Sequence, residues 1–199
     1  MSVSAEALGG PAGSSAWRGR VLVAGTSLRI ILAPVVVGLL LGGNDTAAAI
    51  VFLAAATTDY LDGRLARRWE VTSQLGSLLD TTADKLLVST ALIALVSIDR
   101  VSPWFAILIV GRELVLLGLR AAAAATGRHI EASLLGKWKA TVQFAAIALA
   151  MLRPDVTIAD AYLDQWTMAL AALVTVWSGL DYLVRFSPTL RGSREPQSG

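Results

Sequence analysis

The sequence contains no cysteine, a single histidine (His129) and few charged residues, only 16% of 199. Without cysteine there is neither a disulfide framework nor a thiolate to serve as nucleophile or metal ligand. With one histidine, any bound metal has to be held by oxygen. The scarcity of charge excludes an ordinary soluble domain, in which about a quarter of residues are charged. The net charge of +2 is small and the basic residues are dispersed near the ends of apolar runs, so nucleic acid is not expected as a partner. Apolar residues take the place of charge. They make up 55% of the chain, and the mean hydropathy is +0.62. This composition predicts an all-α integral membrane protein.

At roughly 20 residues per span, the apolar runs allow six transmembrane helices. The first run continues through Leu41. The others cover about 46–61, 75–98, 103–126, 134–152 and 163–186. Arg29 and Pro34 interrupt the first run, which reads as an uncleaved span and not as a signal peptide. Residues 1–16, rich in Gly, Ala and Ser, are expected to form a disordered tail; 17–186 form one membrane domain; 187–199, beginning at Ser187-Pro188, form a flexible polar tail. One set of connections carries Arg18, Arg20, Arg64, Arg67, Arg68, Arg128, Lys137, Lys139, Arg185, Arg191 and Arg194. The other carries only Arg100 and Arg153. This asymmetry predicts a multi-pass protein of the cytoplasmic membrane with both termini inside. Trp104 and Trp166 would sit at the outer interface and Trp17, Trp69 and Trp138 at the inner one, whereas Trp177, in the middle of a run, is expected to pack between helices.

Four aspartates break the apolar pattern: Asp59, Asp62, Asp80 and Asp84. A charge at bilayer depth costs about 2.5 kcal/mol or more, and such residues face a water-filled cavity or one another. Residues three or four apart share a helix face, so Asp59 pairs with Asp62, and Gly76, Asp80 and Asp84 line up. Carboxylates held this close repel unless a cation lies between them. Oxygen-only ligation selects Mg²⁺ or Mn²⁺ over Zn²⁺, and two such ions would clamp a phosphoryl group. Glycine inside a helix costs about 1 kcal/mol relative to alanine, so Gly63 and Gly76 beside the acids suggest the close approach of a ligand or backbone. Arg67, one turn beyond Gly63, can grip phosphate oxygens as a fork.

The pattern Asp59-x2-Asp62-Gly63-x2-Ala66-Arg67-x8-Gly76-x3-Asp80-x3-Asp84 resembles, at all eight positions, the signature of the CDP-alcohol phosphotransferases. The resemblance covers the chain outside its two tails. It implies a six-helix membrane fold, usually dimeric, with the active site in a cavity at the cytoplasmic side. The implied reaction transfers a phosphatidyl or related group from a CDP-linked donor to an alcohol, releasing CMP. By the same resemblance, Asp59, Asp62 and Asp80 would hold a first Mg²⁺ or Mn²⁺ ion and Asp59, Asp80 and Asp84 a second. Asp84 would also take the proton of the attacking hydroxyl. Gly63, Ala66, Arg67 and Gly76 would bind the CDP donor. Thr26-x2-Arg29 resembles a family element near the nucleotide, although Leu22-Val23 stands where Pro-Asn or Pro-Thr is often found before it.

Beyond the signature, Arg112-Glu113, Arg120 and Gly136-Lys137-x-Lys139-x-Thr141-x-Gln143 look like the phosphatidylglycerophosphate synthase branch. That likeness implies CDP-diacylglycerol as donor and glycerol 3-phosphate, a phosphorylated polyol, as acceptor. Arg112, Arg120, Lys137 and Lys139 would supply the charge that a dianion requires, with Glu113 orienting Arg112. The alternatives are a sister enzyme with another acceptor, such as a CDP-diacylglycerol-dependent cardiolipin synthase or a phosphatidylinositol phosphate synthase, and a divalent-cation transporter. A transporter would carry acids through the whole membrane depth, whereas these gather at one face. His129 reads as solvated, Gly136 and Gly179 as packing residues or breaks, and Asp155, Asp160 and Asp164 as solvated acids of the outer loop.

Overall fold

The structure, a computed structural model, describes residues 12–69, 74–125 and 134–191, with side chains placed over 25–184 apart from Thr26, 59–81 and 124–137. Six helices account for nearly all of it: α1 (Ala12–Leu41), α2 (Asp45–Trp69), α3 (Gln74–Ser97), α4 (Pro103–Ala125), α5 (Leu134–Leu152) and α6 (Leu163–Arg191). A two-residue hairpin, β1 (Thr157–Ile158) and β2 (Ala161–Tyr162), joins α5 to α6. The helices follow the expected apolar runs, with three differences at their ends. α1 starts at Ala12, before residue 17; α2 continues through the aspartates to Trp69; and α6 passes Pro188. Helix geometry extends to Ala12 and Trp69 because backbone bonding does not require apolar side chains, only the absence of a strong break, whereas at Pro188 α6 continues past a residue that has no amide donor.

The turns have local causes. At the end of α1 the amide of Gly43 donates to Leu40 O at 3.0 Å and that of Asn44 to Leu39 O at 2.8 Å, with Gly43 at φ 72°. This is a Schellman cap, which needs a left-handed residue that glycine adopts without a Cβ penalty. α3 ends in the same pattern, with Asp99 (φ 55°) donating to Val96 O and Arg100 to Leu95 O. The cap puts Arg100 at the end of the bundle. There its Nη2 lies 2.5 Å from Asp45 Oδ2, in the first turn of α2, and its Nη1 donates to Met151 O at the end of α5. One guanidinium thus ties three elements together and fixes the end of the bundle remote from Asp84.

α1 packs on α2 and α3, α5 on α6 and α2, and α4 on α6 and α3. The buried core combines small residues (Ala33, Ala48, Ala55, Ala91, Ala146) with Leu87, Leu92, Leu95, Ile109, Ile147 and Met151. Alanine lets helix backbones approach closely, and the long side chains fill what remains. Phe52 of α2 and Phe144 of α5 stack at 5.5 Å between centroids, tilted by 48°.

Among the described residues, Leu163–Val184 of α6 is long and apolar enough to cross a membrane; Ser27–Leu41, Asp45–Thr58 and Trp138–Leu152 are shorter apolar stretches. α3 and α4 are interrupted by charge at Asp84, Lys85, Arg112, Glu113 and Arg120. Trp177 departs from the expectation of packing. It is 71% exposed, on an outward stripe of α6 with Leu170, Leu173, Leu180 and Val184 that recurs at helical spacing. Asp164 departs in the opposite direction: it is buried in the first turn of α6, not solvated.

Candidate active site

The signature falls on two helices. Asp59, Asp62, Gly63, Ala66 and Arg67 lie on α2, and Gly76, Asp80 and Asp84 on α3. Helical spacing places the two members of each acid pair on a shared face. The side chains of all of these but Asp84 fall outside the described placements, as do those of Thr26 and Lys137. Among the described residues, no three acidic or histidine side chains form a metal-sized group. Arg29, on α1, is fully buried.

Asp84 is about one-fifth exposed, and its Oδ2 lies 3.0 Å from Nζ of its neighbour Lys85. The same ammonium is 2.7 Å from Oε2 of Glu113 on α4. Glu113 is almost fully buried, and its other oxygen, Oε1, receives Arg112 Nη1 at 3.2 Å and Lys139 Nζ from α5. Arg112 continues the chain onto α6, where its Nη2 donates to Ser178 Oγ at 2.7 Å. A continuous polar path therefore runs from Asp84 through Lys85 and Glu113 to Arg112, Lys139 and Ser178, crossing four helices.

Among the described residues, three cations meet two carboxylates here, which leaves one positive charge over in a buried setting. A buried carboxylate is costly unless paired, which explains why Glu113 collects three partners. Arg112 Nε is buried and has no acceptor among the described residues, and a buried donor of this kind is normally satisfied. The arrangement suits an incoming anion. Arg120, two turns beyond Arg112, is exposed, and its guanidinium lies 5.6 Å from the ring centroid of Tyr182. Arg112, Lys139 and, further out, Arg120 thus come from two helices as expected, and the Arg112–Glu113 pairing is present.

Lys85 is missing from the residues that the sequence singles out. The available signal is that it is the sole cation of α3, next to a signature aspartate in an apolar helix. Ser178 carries no such signal, since a serine in a membrane-type helix ordinarily bonds its own backbone. Gly179 does act as a packing residue, and what it packs against is Arg112.

Residues 24–177 match the family model described as CDP-alcohol phosphatidyltransferase. Three similar proteins carry the name CDP-diacylglycerol--glycerol-3-phosphate 3-phosphatidyltransferase. The protein from Bacillus subtilis (strain 168) is 37% identical over 172 residues, 82% of this chain and 89% of the relative. Those from Escherichia coli (strain K12) and Shigella flexneri serotype 5b (strain 8401) are each 35% identical over 167 residues, 79% of this chain and 90% of theirs.

Proposed function

The chain belongs to the CDP-alcohol phosphatidyltransferase family, and from that premise we propose that it transfers the phosphatidyl group of CDP-diacylglycerol to glycerol 3-phosphate, giving phosphatidylglycerophosphate and CMP. The observation that carries the acceptor is the gathering of Lys85, Arg112 and Lys139 around Glu113, next to Asp84. A phosphate dianion needs cations on more than one side, and these come from three helices. A neutral headgroup would leave their excess over Glu113 and Asp84 uncompensated.

The reaction has a donor half and an acceptor half. On the donor side, Asp59, Asp62, Asp80 and Asp84 form an all-oxygen set whose chemistry fits Mg²⁺ or Mn²⁺. When bound, two such ions supply charge neutralisation on the diphosphate. Arg67 holds a donor phosphate oxygen, and Gly63, Ala66 and Gly76 let the nucleotide approach the helices, with Thr26 and Arg29 on the α1 side. On the acceptor side, Arg112, Lys139, Lys137 and Arg120 hold the phosphate of glycerol 3-phosphate. Asp84 accepts the proton of the attacking hydroxyl as that oxygen bonds to phosphorus and the bond to CMP breaks.

The enzyme works in a membrane. The outward apolar stripe of α6, the exposed Leu and Ile side chains on α1 to α4 and the exposed Trp138 and Leu152 of α5 support six spans lying in lipid. The excess of Lys and Arg on one set of connections supports a cytoplasmic active site with both termini inside. A homodimer is the expected assembly for the family. The test is CMP release by purified protein given CDP-diacylglycerol, Mg²⁺ and one acceptor at a time. Glycerol 3-phosphate should serve, and activity with phosphatidylglycerol or inositol phosphate alone would refute the acceptor.

A further inference from the structure

Lys85 is one of the cations gathered at Glu113, but no step of the reaction above gives it a role of its own. Its ammonium stands between two carboxylates of different standing: Asp84, the proton acceptor, at 3.0 Å, and Glu113, buried among cations, at 2.7 Å. The side chain of Lys85 is about one-quarter exposed and that of Glu113 almost wholly buried. Adjacent residues on a helix point about 100° apart, so Lys85 reaches Asp84 only because its long stem folds back. Glu113 is the partner on another helix that holds it in that conformation.

We propose that Lys85 is a positioning residue for Asp84, held in place by Glu113, and that this link aligns the proton acceptor with the acceptor-phosphate cations. The proposal rests on the transferase reading above. Its physical content is a division of labour between oxygens. Lys85 engages Oδ2 of Asp84 and so restricts rotation of that carboxylate. Glu113 gives Oε2 to Lys85 and Oε1 to Arg112 and Lys139. One rigid carboxylate therefore fixes the spacing between the group that takes the hydroxyl proton and the groups that hold the phosphate of the same acceptor molecule. Glycerol 3-phosphate carries its phosphate and its attacking hydroxyl on one short skeleton, so that spacing decides whether the hydroxyl is in reach.

The test is steady-state kinetics of the full chain in detergent–lipid micelles, with folded enzyme counted by gel filtration. Wild type, Lys85→Arg, Lys85→Met and Glu113→Gln are compared with Mg²⁺, CDP-diacylglycerol and glycerol 3-phosphate. Misplacing a reacting group by about 1 Å costs roughly a hundredfold in rate, so Lys85→Met should lose kcat on that scale per folded molecule with the donor KM unmoved. Lys85→Arg, which keeps a cationic donor, should restore much of it. Glu113→Gln should lower kcat and raise the KM for glycerol 3-phosphate together. A purely structural lysine would reduce the yield of folded enzyme and leave kcat per folded molecule intact, which would overturn the proposal. So would a Lys85→Arg variant as slow as Lys85→Met. If Glu113→Gln fails to fold, the two Lys85 variants decide alone, since that side chain is about one-quarter exposed. Wild type inactive with glycerol 3-phosphate but active with another acceptor would refute the acceptor reading alone, and Lys85 is then judged on that acceptor.

Discussion

Gly179 on α6 lies against the stem of Arg112 on α4: a Cβ at position 179 would stand 3.2 Å from Arg112 Cγ and 3.7 Å from its Nε. The absent side chain is what lets the guanidinium reach Ser178, one residue earlier, and Glu113 beside it. Gly179→Val should therefore displace Arg112 and raise the KM for glycerol 3-phosphate about tenfold, with donor KM changing less than about twofold, the pattern of a lost acceptor contact. Gly179→Ala needs a shift of a few tenths of an ångström only and should fall between the two. Initial rates at varied acceptor and fixed donor decide it.

Asp84→Asn removes the proton acceptor while keeping the shape of the side chain. CMP release should fall by about a thousandfold, within the usual range for a lost general base, with the gel-filtration profile unchanged. Chelation by EDTA should abolish activity in the wild type, and added Mg²⁺ or Mn²⁺ should restore it while Zn²⁺ should not. Radiolabelled CMP release measures both.

Much of this arrangement is legible before any coordinates are seen. Helix number follows from the apolar runs, and the acids stand out because charge is costly among them. Contacts that depend on helix rotation are not legible. Lys85 turns toward Glu113 of another helix and Trp177 turns outward, and neither direction is encoded in local spacing. The β1–β2 hairpin is likewise invisible, since its turn rests on Ala159 and Asp160 at positive φ without glycine, and Asp164 reads as a loop acid although it sits buried in the first turn of α6.

Arg100 should matter for stability and not for turnover. Replacing it by Met removes the donors to Asp45 and to Met151 O at the end of the bundle remote from Asp84. Losing a part-buried charge-assisted bond of this kind costs about 2 kcal/mol. The thermal midpoint of the solubilised protein should drop, while kcat of the fraction that remains folded at low temperature should match wild type. A kcat change with no loss of stability would contradict this assignment.

Tyr182 offers its ring to Arg120. Cation–π contacts at exposed sites contribute about 0.5–1 kcal/mol, so Tyr182→Leu should raise the acceptor KM by about two- to fivefold. Tyr182→Phe keeps the ring and should stay near wild type. Removing the charge outright with Arg120→Ala should cost more than either.

Because one carboxylate is shared by Lys85, Arg112 and Lys139, the fate of a mutation at any of them depends on what the others are. Losing Glu113 leaves three cations facing one another, and losing one of those cations as well relieves that burden, so a double variant should be less impaired than its two parents would suggest. A lineage in which this enzyme came to accept a different alcohol would then have had to pass through coordinated replacements. Glu113 should act as a ratchet on that path: easy to keep, and hard to abandon one step at a time.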